Sequence, residues 1–450
     1  MSKRQELLKE IKNIVFSFFI KSSDFNGISL RDISKNLGIG YEESIELIKE
    51  LVVTDIVSIQ SSTNPHIIGK AHHPVEPQIR ILDDAKNIQV STFKVGELEI
   101  FSEDTDYPIC VYPSQKLLKL ERDVSSFEYA KYSIYLAQGE PQLKLHFFET
   151  DVIEKYKTDP RFDFDFQDFS GSISCKYDEH GEPIVREEEQ IFLKSFGLGY
   201  DNDSNRFIAV LLRDLGRLPA EQQIYWYSKE VRDKKCRVLT DYYENVVNGS
   251  WITSRSIFSA FVDEVNAIYQ LTKEIFGIPL FRKELSGEHY PQSFTFFFSP
   301  TSKNYYDFIN LLDKYISENI DSNFFSGKID LEILKPIQEG KYKVDKKGTL
   351  TALEEWLQKF FIYKDENIPS YIIKPLKRVR KERQTPAHKI ISNQYDKEYY
   401  EKQLNIMEEC YFSLKSIRKN LQSHPKAKTV ELNASIDSEN IKFFLCTRQK

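Results

Sequence analysis

The sequence predicts a multidomain α+β chain with a small helical module, a β-rich mixed middle and a helical C-terminal region. Three observations predict it. At 450 residues the chain exceeds the usual size of one hydrophobic core. Apolar residues make up 40 % and aromatics 13 %, enough to fill real cores. Hydrophobic spacing is helical at first, alternates between about residues 76 and 250, and is helical again from Ser254.

Residues 1–62 open with an apolar helix through Leu7, Ile11, Ile14, Val15 and Phe18. Ser29 suits the cap of a short helix ending near Leu37-Gly38. A tight turn leads to a second helix from Tyr41 to Leu51, and the β-branched run Ile56–Ile59 reads as a strand. Helix, turn, helix and strand make a winged-helix-like pattern. Its second helix carries Glu42, Glu43, Glu46 and Glu50 against Lys49, the wrong sign for DNA phosphates. A companion protein is therefore the expected partner of this module, with DNA binding by a transcriptional regulator as the rival.

A loop with Pro65, Pro74 and Pro77 separates the module from residues 76–250. Short alternating segments there (FKVGELEIF, LKLHFFE, RFDFDFQDF, GSISCKY, RFIAVLLRDL) predict strands, and Pro219-Ala220-Glu221 starts a helix. Residues 254–423 are expected to be helical, with helices at Ser254–Phe276, Lys303–Ile320, Leu350–Phe361, Pro375–Arg383 and Asp396–Leu421. The tail, 424–450, has two strand-like pieces, TVELNASI and IKFFLC.

Composition excludes several classes. No run approaches the roughly 20 apolar residues of a membrane span. The first fifteen residues are charged throughout and lack a signal-peptide core. Cys110, Cys175, Cys236, Cys410 and Cys446 lie far apart without CxxC spacing, as in reduced thiols. A cytoplasmic protein without membrane, metal or cofactor is expected. P-loop, GxGxxG and GxSxG motifs are absent.

Against a net charge of −6, Lys374 to Lys389 (KPLKRVRKERQTPAHK) sets seven Lys/Arg and one His against Glu382 alone. Pro375 suits a helix start. Leu376, Val379 and Arg383 then share one stripe, while Lys377, Arg378 and Lys381 occupy other faces. Pro386 is expected to break the helix, with Thr385 capping a new one and His388 in its first turn. A neutral imidazole there could take a proton from a ribose 2′-hydroxyl while Arg383 holds the phosphate. Lys374, Lys377, Arg378, Arg380, Lys381 and Lys389 would grip the nucleic acid. The bland reading is a solvated basic helix. Arg282–His289 and Arg418–His424 have similar spacing, so spacing by itself decides nothing.

A helical region carrying R-Q-T-P-A-H, with the polar Gln384 after the arginine, resembles the HEPN superfamily of prokaryotic RNases and nucleotide-binding proteins. The resemblance covers residues 254–423. It implies a metal-independent endoribonuclease with Arg383 and His388 as catalytic residues. It also implies a composite site between two protomers, and a toxin or antiviral defence setting. Pro386 departs from the Asn- or Asp-started versions of the motif. The alternative is a non-enzymatic scaffold subunit of a defence complex that binds nucleic acid or a partner.

The other candidates favour structure over chemistry. Leu404, Met407, Tyr411, Leu414, Ile417 and Leu421 form a seam that packs in its own bundle or against a second copy. Asp163, Asp165 and Asp168 alternate as in a half-solvated strand, not a metal site. Tyr225-Trp226-Tyr227 beside Arg213, Arg217, Lys229 and Arg232 reads as core aromatics before it reads as a base-stacking platform. His72-His73 lacks further ligands at metal spacing.

Overall fold

A computed structural model describes residues 2–22, 25–60, 74–95, 98–105, 107–203, 205–289, 294–338, 341–387, 392–438 and 440–442. The chain is mixed α+β, and all but one of its described strand pairings are antiparallel. The N-terminal unit runs α1 (Lys3–Lys21), β1 (Ile28–Ser29), α2 (Leu30–Leu37), α3 (Tyr41–Val53) and β2 (Val57–Gln60). It continues with α4 (Val75–Ala85), the hairpin of β3 (Val90–Val95) and β4 (Leu98–Glu103), and β5 (Cys110–Pro113). Ser29 caps α2 by accepting the Asp32 N–H at 3.1 Å, and Gly38 ends it at φ 62°, a left-handed position where glycine carries no Cβ penalty. The three short strands pair in the order β1-β5-β2. The unit's core joins Ile11, Val15, Ile33, Ile45 and Ile48 to Leu82 of α4 and Val111 of β5. The first module thus recruits chain well beyond residue 62.

Two helices, α5 (Gln115–Glu121) and α6 (Lys131–Ala137), lead into the main sheet. Its strands are β6 (Leu145–Glu149), β7 (Phe162–Gln167), β8 (Ser170–Cys175), β9 (Phe192–Tyr200) and β10 (Arg206–Leu211), in the order β6-β10-β9-β8-β7. The helix α7 (Glu154–Thr158) follows β6; α8 (Leu212–Leu215), α9 (Ala220–Ser228), β11 (Arg237–Val238) and α10 (Thr240–Val246) follow β10. The predicted strand segments and the helix after Pro219 are all present. The period-two reading of 162–167 holds, because Phe162 and Phe166 are buried while Asp163 and Gln167 face solvent.

The C-terminal half comprises β12 (Arg255–Ser256), α11 (Ile257–Phe276), α12 (Ser302–Tyr315), the hairpin β13 (Glu332–Gln338) and β14 (Lys341–Lys346), and α13 (Thr349–Phe360). Then come α14 (Ile368–Ala387), α15 (Glu398–Gln422) and β15 (Ile441–Lys442), which pairs with β12 in parallel. Three expectations need correction. The region is not wholly helical, because the alternation of Ile333, Lys335, Tyr342 and Val344 makes a hairpin. TVELNASI forms no strand; it follows a 3₁₀ turn at Pro425–Thr429, and IKFFLC lies within the described residues only at Ile441–Lys442. Finally, α14 starts at Ile368 and runs through Pro375 and Pro386 to Ala387, so Thr385 caps no new helix. Each proline withholds one N–H, and the bias before proline is a preference that a well-anchored helix overrides.

One buried cluster extends from Tyr132 to Ala427, so the main sheet and α11–α15 share a core. Phe298, ahead of α12, meets Phe166 edge-on at 5.3 Å and Phe164 at 5.8 Å. The sheet also caps a helix: Asp168 accepts the Ser256 N–H and the Ser259 hydroxyl at the start of α11, both at 2.7 Å. That is what Asp168 does in place of metal ligation. The seam of α15 is consumed here as well, since Met407 and Ile417 are fully buried and Leu404 is 6 % exposed. A dimer through that seam is not available without opening the core. Among the described residues no helix is long and apolar enough to cross a membrane.

Candidate functional site

The helix α14 carries the basic segment along the outside of the shared core. Ile373, Leu376 and Val379 bury its inner stripe against α12, α13 and α15. That burial fixes the rotation of the helix and therefore the reach of each cation. Arg383 leaves the stripe at the rim, its side chain 31 % exposed. Its Nη1 donates to Asp313 Oδ2 at 2.6 Å and to Glu318. Arg380 donates to the same Asp313 oxygen at 2.8 Å and to Ser317 Oγ at 3.1 Å, and Ser317 in turn donates to Asp313. Asp313 is fully buried on α12, and two guanidiniums make its charge tolerable there. The two carboxylates raise the affinity of Arg383 for its proton above the usual guanidinium range.

Two of the remaining cations are also engaged. Lys377 pairs with Glu354 of α13. Arg378 donates through Nε to Glu382 at 2.8 Å and through Nη1 to Glu409 of α15 at 2.9 Å and 3.0 Å. Glu382 further accepts the Tyr305 hydroxyl, and burial with that carboxylate drives the Tyr305 phenol far above its normal titration range. Lys374 and Lys381 alone are exposed without an ion-pair or hydrogen-bond partner among the described residues. Four of the six described cations (Lys377, Arg378, Arg380, Arg383) thus meet five carboxylates (Asp313, Glu318, Glu354, Glu382, Glu409), and with Lys374 and Lys381 included the formal charge is +1. Four of those five acids lie 23 to 70 positions away from the cations they bind. A linear reading of the basic segment could not have found them.

His388 and Lys389 lie outside the described residues, as do His72 and His73. Of the other arginine–histidine pairs, Arg418 is fully buried and makes a two-pronged bond to Glu264 at 2.6 Å and 2.9 Å. Its Nη1 reaches Gln422 and its Nη2 Asp437, and the side chain is sealed from solvent, out of a ligand's reach. The Tyr225-Trp226-Tyr227 cluster serves the core: Trp226 is fully buried and donates to the Tyr156 hydroxyl at 3.2 Å. Tyr225 donates to the Val152 carbonyl at 3.0 Å, and Arg232 stacks 3.6 Å over Tyr227.

One constellation escaped the sequence reading. His146, on the edge strand β6, contacts Glu230 through Nδ1 at 2.6 Å, and both side chains are nearly sealed. Glu230 also accepts from Arg232 at 2.9 Å and from the Tyr132 hydroxyl at 3.3 Å. Burial pushes its carboxyl up, but His146 and then Arg232 outweigh that and hold it below the usual range. The carboxylate fixes an Nδ1–H tautomer, as in general-base dyads. Yet Nε2 is buried without a partner, packed with Tyr132 edge-on and Tyr135 stacked. No substrate reaches that nitrogen in this conformation, so the pair clasps the sheet edge. Only the pairing of residues 84 positions apart reveals it.

Comparison with known protein families, curated proteins and solved structures finds no match to this chain.

Proposed function

We propose that this chain is a partner-binding scaffold that docks a companion through its N-terminal unit, and that α14 is its structural spine. The observation that carries this reading is the near-neutrality of α14. A segment that gripped RNA would need unpaired cations to displace counterions from phosphates. Here all but two of the described cations are spent on carboxylates of this chain. In the N-terminal unit, the run α1-β1-α2-α3-β2, with β5 joining after α4 and the β3–β4 hairpin in the strand order β1-β5-β2, supports a winged-helix-like module. Its α3 exposes Glu42, Glu43, Glu46 and Glu50; Glu46 pairs with Lys49 and Lys86 and Glu50 with Arg4, so Glu42 and Glu43 carry the charge left unpaired among the described residues. Such a face repels DNA and suits a basic protein surface.

The second reading, metal-independent RNA cleavage in a defence or toxin setting, is favoured by a specific observation. Nε and Nη2 of Arg383 have no partner among the described residues. A phosphate could bond to those donors while Asp313 holds the guanidinium in place. One experiment separates the readings. Labelled single-stranded RNA is incubated in EDTA with the full chain, with Arg383→Ala and with His388→Ala. The scaffold reading expects intact RNA in all three. Cleavage by the unaltered chain that disappears in both variants would reject it in favour of the nuclease.

A further inference from the structure

Where the sheet half meets the helical half, α7 and α12 flank a cavity of about 340 Å³. Pockets of this size commonly hold small ligands at such junctions. Lys157 and Glu154 line it from α7; Lys303, Asn304, Asp307 and Lys314 line it from α12. On a helix, positions 303, 307, 310 or 311, and 314 recur at three and four and share one face, so α12 turns one polar stripe into the cleft.

Two polar groups there lack the partners that buried groups normally have. Glu154 Oε1 is shielded from solvent and accepts no hydrogen bond. Lys157 is half-buried, with its ammonium 5.7 Å from the Phe298 ring centre and no hydrogen bond or ion pair among the described residues. Burial lowers its affinity for a proton; Glu154 and Asp307 are near enough to oppose that drop, and do so only in part. The contrast with α14 is plain. Four of its six described cations are matched by carboxylates at contact distance, whereas none of Lys157, Lys303 and Lys314 has an ion-pair partner among the described residues. Three lysines against two acids leave the cleft net positive, and its half-buried Lys157 has no ion-pair partner among the described residues.

We propose that this cleft binds a small phosphate-bearing ligand, its phosphate between Lys157 and Lys303 and a hydroxyl or amine donor on its body meeting Glu154. The phosphate supplies the counter-charge that Lys157 lacks. The donor satisfies the orphan carboxylate oxygen, a match that rejects ligands unable to make it. Lys314 lies three turns along α12 from Lys303, about 16 Å by helix rise, and bounds the far end of the cleft. Occupancy raises the proton affinity that burial has lowered at Lys157, so binding is coupled to proton uptake at alkaline pH and weakens there.

The test uses the full chain and pyridoxal 5′-phosphate, a probe with a phosphate and an aldehyde. The Lys157 amine adds to the aldehyde carbon, the carbonyl oxygen leaves as water, and an imine remains. Borohydride then delivers hydride to the imine carbon, solvent protonates the nitrogen, and peptide mass spectrometry locates the tag. Lys157 is expected to be tagged ahead of the surface lysines. Inorganic phosphate should protect it, and glycerol 3-phosphate should protect more strongly because its hydroxyls reach Glu154. In Lys303→Ala, which removes an exposed side chain, tagging of Lys157 should fall about tenfold, the equivalent of one charge-assisted phosphate contact. Tagging spread evenly over the lysines, or indifferent to phosphate and to Lys303→Ala, would overturn the site. Equal protection by the two phosphates would remove Glu154 from it.

Discussion

Arg383 and Arg418 each precede a histidine at similar spacing, and the fold puts them to opposite uses. Arg418 is sealed between α15 and α11, with Nε, Nη1 and Nη2 all bonded inside the protein. Arg383 sits at the end of a buried stripe, anchored through Nη1 alone. Both contact a fully buried carboxylate, Glu264 in one case and Asp313 in the other. The difference is depth. A guanidinium inside the core is a structural group whatever follows it in sequence, whereas one at the rim keeps donors that a ligand can use.

The largest expected effect lies at the sealed site. Arg418→Ala leaves the Glu264 carboxylate buried and uncompensated, and should cost about 3–5 kcal/mol of stability in urea unfolding. Arg418→Met together with Glu264→Met should recover most of it, because the cost is that of an unpaired charge. Failure of the double variant to recover would mean that shape, not charge, dominates there.

A smaller loss, with a gain attached, is expected at the rim. Asp313→Asn weakens two charge-assisted bonds and should cost about 1–3 kcal/mol. It also frees Arg380 and Arg383 from a carboxylate. If neutralisation is what silences α14, filter binding to single-stranded RNA should strengthen, and its log–log salt slope should steepen by about 0.7 per cation released. An unchanged slope would show that the charge is not held in check by Asp313.

Next is the clip from the tail to α15. Asp437 bonds to Arg418 and Lys419, which pull its carboxyl down to about 2 from an ordinary 3.8. A depressed carboxylate stabilises the fold above its unfolded pKa, and that contribution is lost as pH falls from about 4 towards 2. Because Asp437 is 49 % exposed, screening limits the effect to below about 1 kcal/mol. Asp437→Asn should lower the melting temperature slightly at pH 7 and lose that deficit near pH 2. The smallest change is expected for Lys374→Ala with Lys381→Ala, within about 0.5 kcal/mol. These are the two described cations of α14 without partners, so any residual RNA retention should fall with them.

Much of the architecture was legible locally. Ser29 and Gly38 bracket α2 because capping and a left-handed stop act within a few residues. The alternation of 162–167 and the spacing along α15 gave strand and helix for the same reason. Pro386 misled because proline's local bias is weaker than the burial of Ile373, Leu376 and Val379, which anchors the whole of α14. The hairpin at 332–346 hid inside a stretch whose flanks were helical. The His146–Glu230 clasp left no linear trace, and neither did the Lys157 cleft, since each joins segments far apart in the chain.

By itself the sequence determined the caps and periodicity of the best-marked elements, such as α2 and the strand at 162–167, which side chains are apolar, and that positive charge gathers between Lys374 and Lys389. Whether that charge reaches solvent was decided only in three dimensions, by carboxylates from α12, α13 and α15 brought to contact distance. The physical reason is range. Capping and periodicity act over a few bonds along the chain, whereas Coulomb energy depends on distance through space and on exclusion of water, and neither is written in linear order.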